Sequence, residues 1–148
     1  MSVLIIPFSL QQLYFKQYYV LAKVNNYVLP VLIDTGSSIS CIQTKYCSFL
    51  QPLAEPIKIA RCFDANYDIY ESTIVNITFD NQFYFDLSLF VHNPEKLDIP
   101  MLLGMDFLDV LSNYTLNYDY LCLVINNYQH NIPRILLTYQ EIVEQLEL

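Results

Sequence analysis

The run Val31-Leu32-Ile33-Asp34-Thr35-Gly36-Ser37-Ser38 drives an apolar strand into a carboxylate and then into a glycine turn. An ionised carboxylate at the end of a buried strand is costly unless it is hydrogen bonded. Thr35 and Ser37 bring hydroxyls beside it, and Gly36 lets the backbone approach closely. A carboxylate held in this way has the means for general acid–base work on a water molecule. Asp-Thr-Gly alone is short and occurs by chance at strand ends, so its weight comes from its surroundings. A second elbow supplies them: Ile99-Pro100-Met101-Leu102-Leu103-Gly104-Met105-Asp106-Phe107-Leu108 again ends an apolar strand in glycine and aspartate. The chain has only two glycines, and each stands at one of these elbows.

Other chemistries find less support. The four cysteines, Cys41, Cys47, Cys62 and Cys122, lack the close pairing of a zinc site, and the two histidines, His92 and His130, stand alone. No metal and no cofactor is expected. The cysteines read as the reduced, mostly buried thiols of a cytosolic protein rather than a secreted one. Net charge is −8, and the seven basic residues are scattered singly. Nucleic acid is therefore excluded as a partner, since phosphate binding needs clustered Lys and Arg. No apolar run approaches the roughly 20 residues that cross a bilayer, so no membrane is expected. Val3-Leu4-Ile5-Ile6, closed by Pro7 and without a preceding basic residue, is too short for a signal-peptide core and reads as a buried or interface strand.

The elements that must position the two elbows are mainly strands. Only 15% of residues are charged and 54% are hydrophobic, which excludes disorder and supplies a core for one domain of 148 residues. Alternation from Ile77 through Phe79, then Phe83, Phe85, Leu87, Leu89 and Val91 predicts a hairpin turning at Asp80-Asn81. Val20–Val24 and Val28–Ile33 form a second across Asn25-Asn26, residues that tolerate positive φ. A third spans Tyr114–Ile125, with Asp119-Tyr120 near its turn. A fourth runs from Ile57 to Val75 with Asp64-Ala65-Asn66 at its tip. Gly104–Leu111 has Phe107, Leu108 and Leu111 at helical spacing. Thr138 and Glu141 form a capping-box pattern ahead of Ile142, Val143 and Leu146. Asn126–Pro133 reads as a connecting loop.

The ordered pair of motifs resembles the retropepsin family, the aspartic peptidases of retroviruses, LTR retrotransposons and plant pararetroviruses. Its members join an apolar-apolar-Asp-Thr/Ser-Gly-Ala/Ser motif to an apolar-Leu-Gly-x-Asp/Asn-Phe/Leu motif before a short helix. The resemblance covers about residues 18–125, and the Leu-Gly-Met-Asp-Phe-Leu wording is closest to retrotransposon and pararetroviral members. It implies an all-β, retropepsin-like acid protease fold over residues 1–137, with one short internal helix and a helical tail at 138–148. The chain ends inside that helix, the pattern of a domain excised from a longer polyprotein. The implied function is an aspartic endopeptidase that processes a viral or retroelement polyprotein. Asp34 would be its catalytic aspartate, Thr35 a hydroxyl lock between subunits, and Gly36 a carbonyl offered to substrate. The Ile57–Val75 hairpin would be the flap that closes over the cleft, with Ser38, Cys62, Phe63, Asp64, Ala65, Asn66 and Tyr67 nearest the polypeptide substrate. This chain departs from the family in a flap without glycine. It also has Ser38 and Met105 where many retroviral members carry an Asp and an Arg as an ion pair.

Such chemistry needs two carboxylates sharing one proton across a water, one acting as base while the other donates. Like charges roughly 3 Å apart cannot both ionise, so their titration belongs to the pair. No second Asp-Thr/Ser-Gly exists in the chain. Asp106 could be an intrachain partner, but its place near a helix start favours dipole and capping interactions. The remaining solution is a C2 homodimer that brings two copies of Asp34 together, with the N-terminal strand and Ile135–Leu137 as candidate interface strands. Ser37 is expected to donate its hydroxyl to Asp34 and so give an acid-shifted optimum. The alternatives are a catalytically inactive retropepsin-fold dimerisation or binding module, which the unusual flap favours and the intact motif opposes, and a carbohydrate hydrolase using Asp34 and Asp106, which lacks a sugar-stacking Trp.

Overall fold

The structure is a computed structural model that describes residues 17–59, 67–79, 83–93, 99–111 and 113–146. Ten strands follow in chain order: β1 (Tyr19–Val24), β2 (Tyr27–Ile33), β3 (Cys41–Gln43), β4 (Gln51–Ile59), β5 (Tyr67–Phe79), β6 (Phe83–His92), β7 (Met101–Leu103), β8 (Asn113–Leu116), β9 (Tyr120–Ile125) and β10 (Tyr128–Ile135). Among the described residues there are also two α-helices, α1 (Met105–Leu108) and α2 (Tyr139–Leu146), and a 3-10 turn at Thr44–Tyr46. The expected N-terminal strand at Val3–Ile6 and the turn at Asp80-Asn81 lie outside the described residues.

Six strands close into a ring. The order β5-β6-β3-β7-β2-β1 returns to β5 because Lys23 and Val24 of β1 pair with Thr78 and Ile77. Asn25, at φ 53° in the β1–β2 turn, adds to that closure. Its N–H donates to the Asn76 carbonyl (2.8 Å), and its side-chain oxygen accepts from the Asn76 N–H (3.1 Å). β4 extends the sheet from the first half of β5, and β10, β9 and β8 extend it from β1.

The central strands explain the unbroken apolar runs of the sequence. β2 and β7 are covered on both faces, so neither alternates. Leu29, Val31, Ile33, Met101 and Leu103 enter the larger core with Val75, Ile77, Phe79, Leu121 and Leu123. Leu32 and Leu102 enter a second core with Ile39, Cys41, Ile59, Ile69 and Ile142. Each such side chain contributes about 1.5–3 kcal/mol by leaving water. β5 and β6, by contrast, pair over nine residues with one face inward; the alternation expected from Ile77 to Val91 is its inner part, and the strand expected to end the Ile57–Val75 hairpin is the first part of the same β5.

α2 begins with the capping box its sequence predicts. The Thr138 N–H donates to Glu141 Oε1 (3.0 Å), and the Glu141 N–H donates to Thr138 Oγ1 (3.2 Å). Ile142 then packs into the second core while the opposite face stays in water. The internal helix is shorter than expected: α1 spans four residues, and tighter turns carry the chain to Leu111.

One expectation is overturned. Asn126–Pro133 is not a loop but a two-residue turn followed by most of β10, which pairs with β9 from Tyr128↔Ile125 to Pro133↔Tyr120. Asn126 and Asn127 both take positive φ (52° and 65°), the requirement of a tight hairpin that asparagine meets at low cost. Ile135, proposed as an interface residue, pairs with Tyr19 of the same chain.

Candidate active site

β2 and β3 are consecutive in sequence but are not neighbours in the sheet. β7 lies between them, parallel to β2 and antiparallel to β3. The Asp34–Ser40 connection therefore crosses the end of β7, just where the chain turns at Gly104. The two sequence motifs are thus brought into direct contact. The Asp34 N–H donates to the Leu103 carbonyl (2.9 Å), and the Met105 N–H donates to the Ser37 carbonyl (2.7 Å). Gly104 is required by space rather than by φ, since its φ is −107°. A Cβ there would stand 2.3 Å from the Ile39 carbonyl oxygen and 2.6 Å from that of Ser37.

From Leu29 to Gln43 every residue is buried except Asp34, Thr35, Gly36 and Ser38. The chain opens this stretch to its surroundings only at the motif. Asp34 Oδ1 accepts from the Gly36 N–H (2.9 Å). Its Oδ2 is buried and has no hydrogen-bond partner. Burial pushes the Asp34 carboxyl above the usual aspartate range, and the Gly36 and Ser37 backbone N–H groups pull it back only in part. An unpartnered buried carboxylate oxygen costs on the order of 1–3 kcal/mol. Among the polar side-chain atoms of the motif, it is the one most in need of a donor.

Several expected site residues come together and others do not. Asp34, Thr35, Gly36, Ser37 and Ser38 share the β2–β3 connection, with Thr35 and Ser38 exposed. Ser37 is turned away from its expected partner. Its hydroxyl donates to the Ile39 carbonyl (2.8 Å), so Asp34 receives only backbone donors. Asp106 does not cap its own helix. Its Oδ2 accepts from the Ser40 N–H (2.9 Å) and its Oδ1 from the Ser40 hydroxyl (2.5 Å). Both Asp106 oxygens are thus engaged by Ser40, and neither is hydrogen bonded to Asp34. The β4–β5 hairpin is present where the flap was expected, with Ile59 paired to Tyr67. Cys62, Phe63, Asp64, Ala65 and Asn66 lie outside the described residues, as does the side chain of Tyr67. Among the described residues, no group of three metal-ligating side chains converges and no helix is long and apolar enough to cross a membrane.

Ser40 was not singled out by its sequence. Nothing local distinguishes it from its neighbours Ser37 and Ser38 as the one that meets the second elbow.

No protein-family model matches the chain. Uncharacterized protein 7 of soybean chlorotic mottle virus is 32% identical over 133 residues, covering 88% of this chain and 84% of that protein. The chain belongs to the family of this viral protein. Its architecture is retropepsin-like: the crystal structure of the retroviral protease-like domain of Ddi1 from Leishmania major superposes with a TM-score of 0.59. That match has 14% identity and covers 81% of this chain and 94% of that one. A more distant match is EIAV protease complexed with the inhibitor HBY-793, with a TM-score of 0.45, 21% identity, and coverage of 70% of this chain and 96% of that one. This chain thus carries its Asp-Thr-Gly elbow on an all-β, retropepsin-like fold.

Proposed function

We propose that this chain is an aspartic endopeptidase of a reverse-transcribing virus, active as a homodimer that cuts a viral polyprotein. The observation that carries the proposal is Asp34 Oδ2, a buried carboxylate oxygen with no partner, at the one opening of an otherwise buried stretch. A second copy of the same elbow, related by a two-fold axis, supplies the matching carboxylate and the shared proton. One carboxylate then takes a proton from the bridging water while the other donates to the scissile carbonyl, and the roles belong to the pair. Exposed Thr35 stands beside Asp34, where its hydroxyl can cross to the partner. The β4–β5 hairpin is the flap, and a cleft made from two such apolar chains favours a polypeptide with apolar residues around the cleaved bond.

The test is a cleavage assay over a pH series with and without pepstatin, run beside Asp34→Asn and with sedimentation analysis of both proteins. The expected result is pepstatin-sensitive cleavage by the dimer and none by Asp34→Asn. Wild-type cleavage by Asp34→Asn refutes the reading. An inactive wild-type dimer favours the non-catalytic binding module instead.

A further inference from the structure

The motif loop is tied to the second elbow by one side-chain relay, and the relay runs through Ser40. Four hydrogen bonds meet on this residue. Its N–H and hydroxyl both donate to Asp106, and its hydroxyl oxygen accepts from the Gly104 N–H (2.9 Å). The Ser40 carbonyl is also used, accepting from the Phe90 N–H (3.2 Å). Ser40 is 1% exposed, so each of these partners replaces water that cannot reach it. A hydroxyl has one proton and two lone pairs. In Ser40 the proton goes to Asp106 and a lone pair receives Gly104, leaving its direction no freedom.

Asp106 is an exposed residue, yet both of its carboxylate oxygens are engaged by this one serine. Charge-assisted bonds from two donors of one residue form a bidentate clamp. The clamp holds the far end of the loop whose near end is held by Asp34 N–H on Leu103. Between these anchors the remaining ties from loop to elbow are made by backbone groups alone. Ser38 and Met105 are both neutral, so the elbows have no ion pair at those positions to do the same work.

We infer that Asp106 and Ser40 are positioning residues, a clamp that sets where the Asp34 carboxylate stands relative to its symmetry mate. This inference rests on the proposed protease reading for its catalytic consequence but not for its geometry. Displacement of a reacting group by about 1 Å costs on the order of 100-fold in rate. A clamp that acts on geometry therefore lowers kcat more than it raises KM.

The test compares wild type with Ser40→Ala, Asp106→Ala, the double variant and the milder Asp106→Asn, which keeps one acceptor oxygen. Cleavage is normalised to sites titrated with pepstatin, so that partial unfolding does not register as a lower kcat. Amide hydrogen exchange of peptides covering residues 34–43 is measured in parallel. Each single alanine variant is expected to lower kcat by about 10–100-fold with KM within about threefold. Each should also speed exchange in 34–43 without speeding it in β5 and β6. Asp106→Asn falls between. The double variant is no worse than either single one, because the two residues act as a unit. Additive losses, or wild-type kcat and exchange in both alanine variants, overturn the inference. If wild type itself does not cleave, the protease reading fails, and the exchange comparison alone decides the clamp.

Discussion

Gly104 and Ile39 approach so closely that a methyl group on Gly104 would stand 2.3 Å from the Ile39 carbonyl oxygen. The obstacle is backbone, which cannot rotate aside as a long side chain can. Gly104→Ala therefore forces the two elbows apart. It should cost about 1–3 kcal/mol or more, the range of overpacked cores, read as a lowered denaturation midpoint. A midpoint equal to wild type would show that the elbows do not interlock as described.

Asp34 links stability to pH. Its carboxyl titrates above the usual range in the single chain because burial disfavours the charged form. A raised carboxylate value stabilises the fold below the unfolded value, and that contribution is lost as pH rises through the folded value. Asp34→Asn, which cannot ionise, should thus raise the melting temperature of the monomer at neutral pH. The gain should vanish below about pH 3.9, the ordinary aspartate value. Thermal melts at dilute, monomeric concentration check this; a gain of equal size at both pH values contradicts it.

Ser37 separates two ways of tuning that carboxyl. Its hydroxyl bonds Ile39 rather than Asp34, and Asp34 receives backbone N–H groups that no substitution of Ser37 side-chain chemistry removes. Ser37→Ala should leave the acidic limb of the pH–rate profile in place while costing about 1 kcal/mol through the lost buried bond. An acidic limb displaced upward would mean that the hydroxyl reaches Asp34 in the working dimer.

The β9–β10 turn should show the preference of positive φ for asparagine and glycine. Asn127, at φ 65°, should accept glycine with little change, whereas Asn127→Val should lose about 1–2 kcal/mol. Urea denaturation of both variants measures the difference, and equal stabilities would remove the tight hairpin.

The C-terminal helix offers two independent handles. Thr138→Ala removes a cap worth about 0.5–2 kcal/mol. Ile142→Ala empties a site 2% exposed in the second core and should cost about 2–5 kcal/mol. If neither changes the melting temperature, the helix is not docked on the domain.

Local sequence was enough for features whose physics is local. Period-two alternation marks β6 and the end of β5, Asn25-Asn26 marks the β1–β2 turn, and Thr138 with Glu141 marks the start of α2, because each depends on residues a few positions apart. Unbroken apolar runs also marked β2 and β7 as buried, and the glycines marked the two elbows. The Asn126–Pro133 segment failed the same reading because polar residues flanking an Asn-Asn turn look like loop until β9 is there to pair with them. Two relationships could be decided only by tertiary structure. Insertion of β7 between β2 and β3 brings Gly104 against Ile39 and Asp106 onto Ser40, contacts between residues more than sixty positions apart. In the same loop the Ser37 hydroxyl bonds Ile39, and Asp34 Oδ2 is left without a donor. Hydrogen-bond direction is set by which acceptor lies within about 3 Å, and in this chain that distance is a property of the strand order.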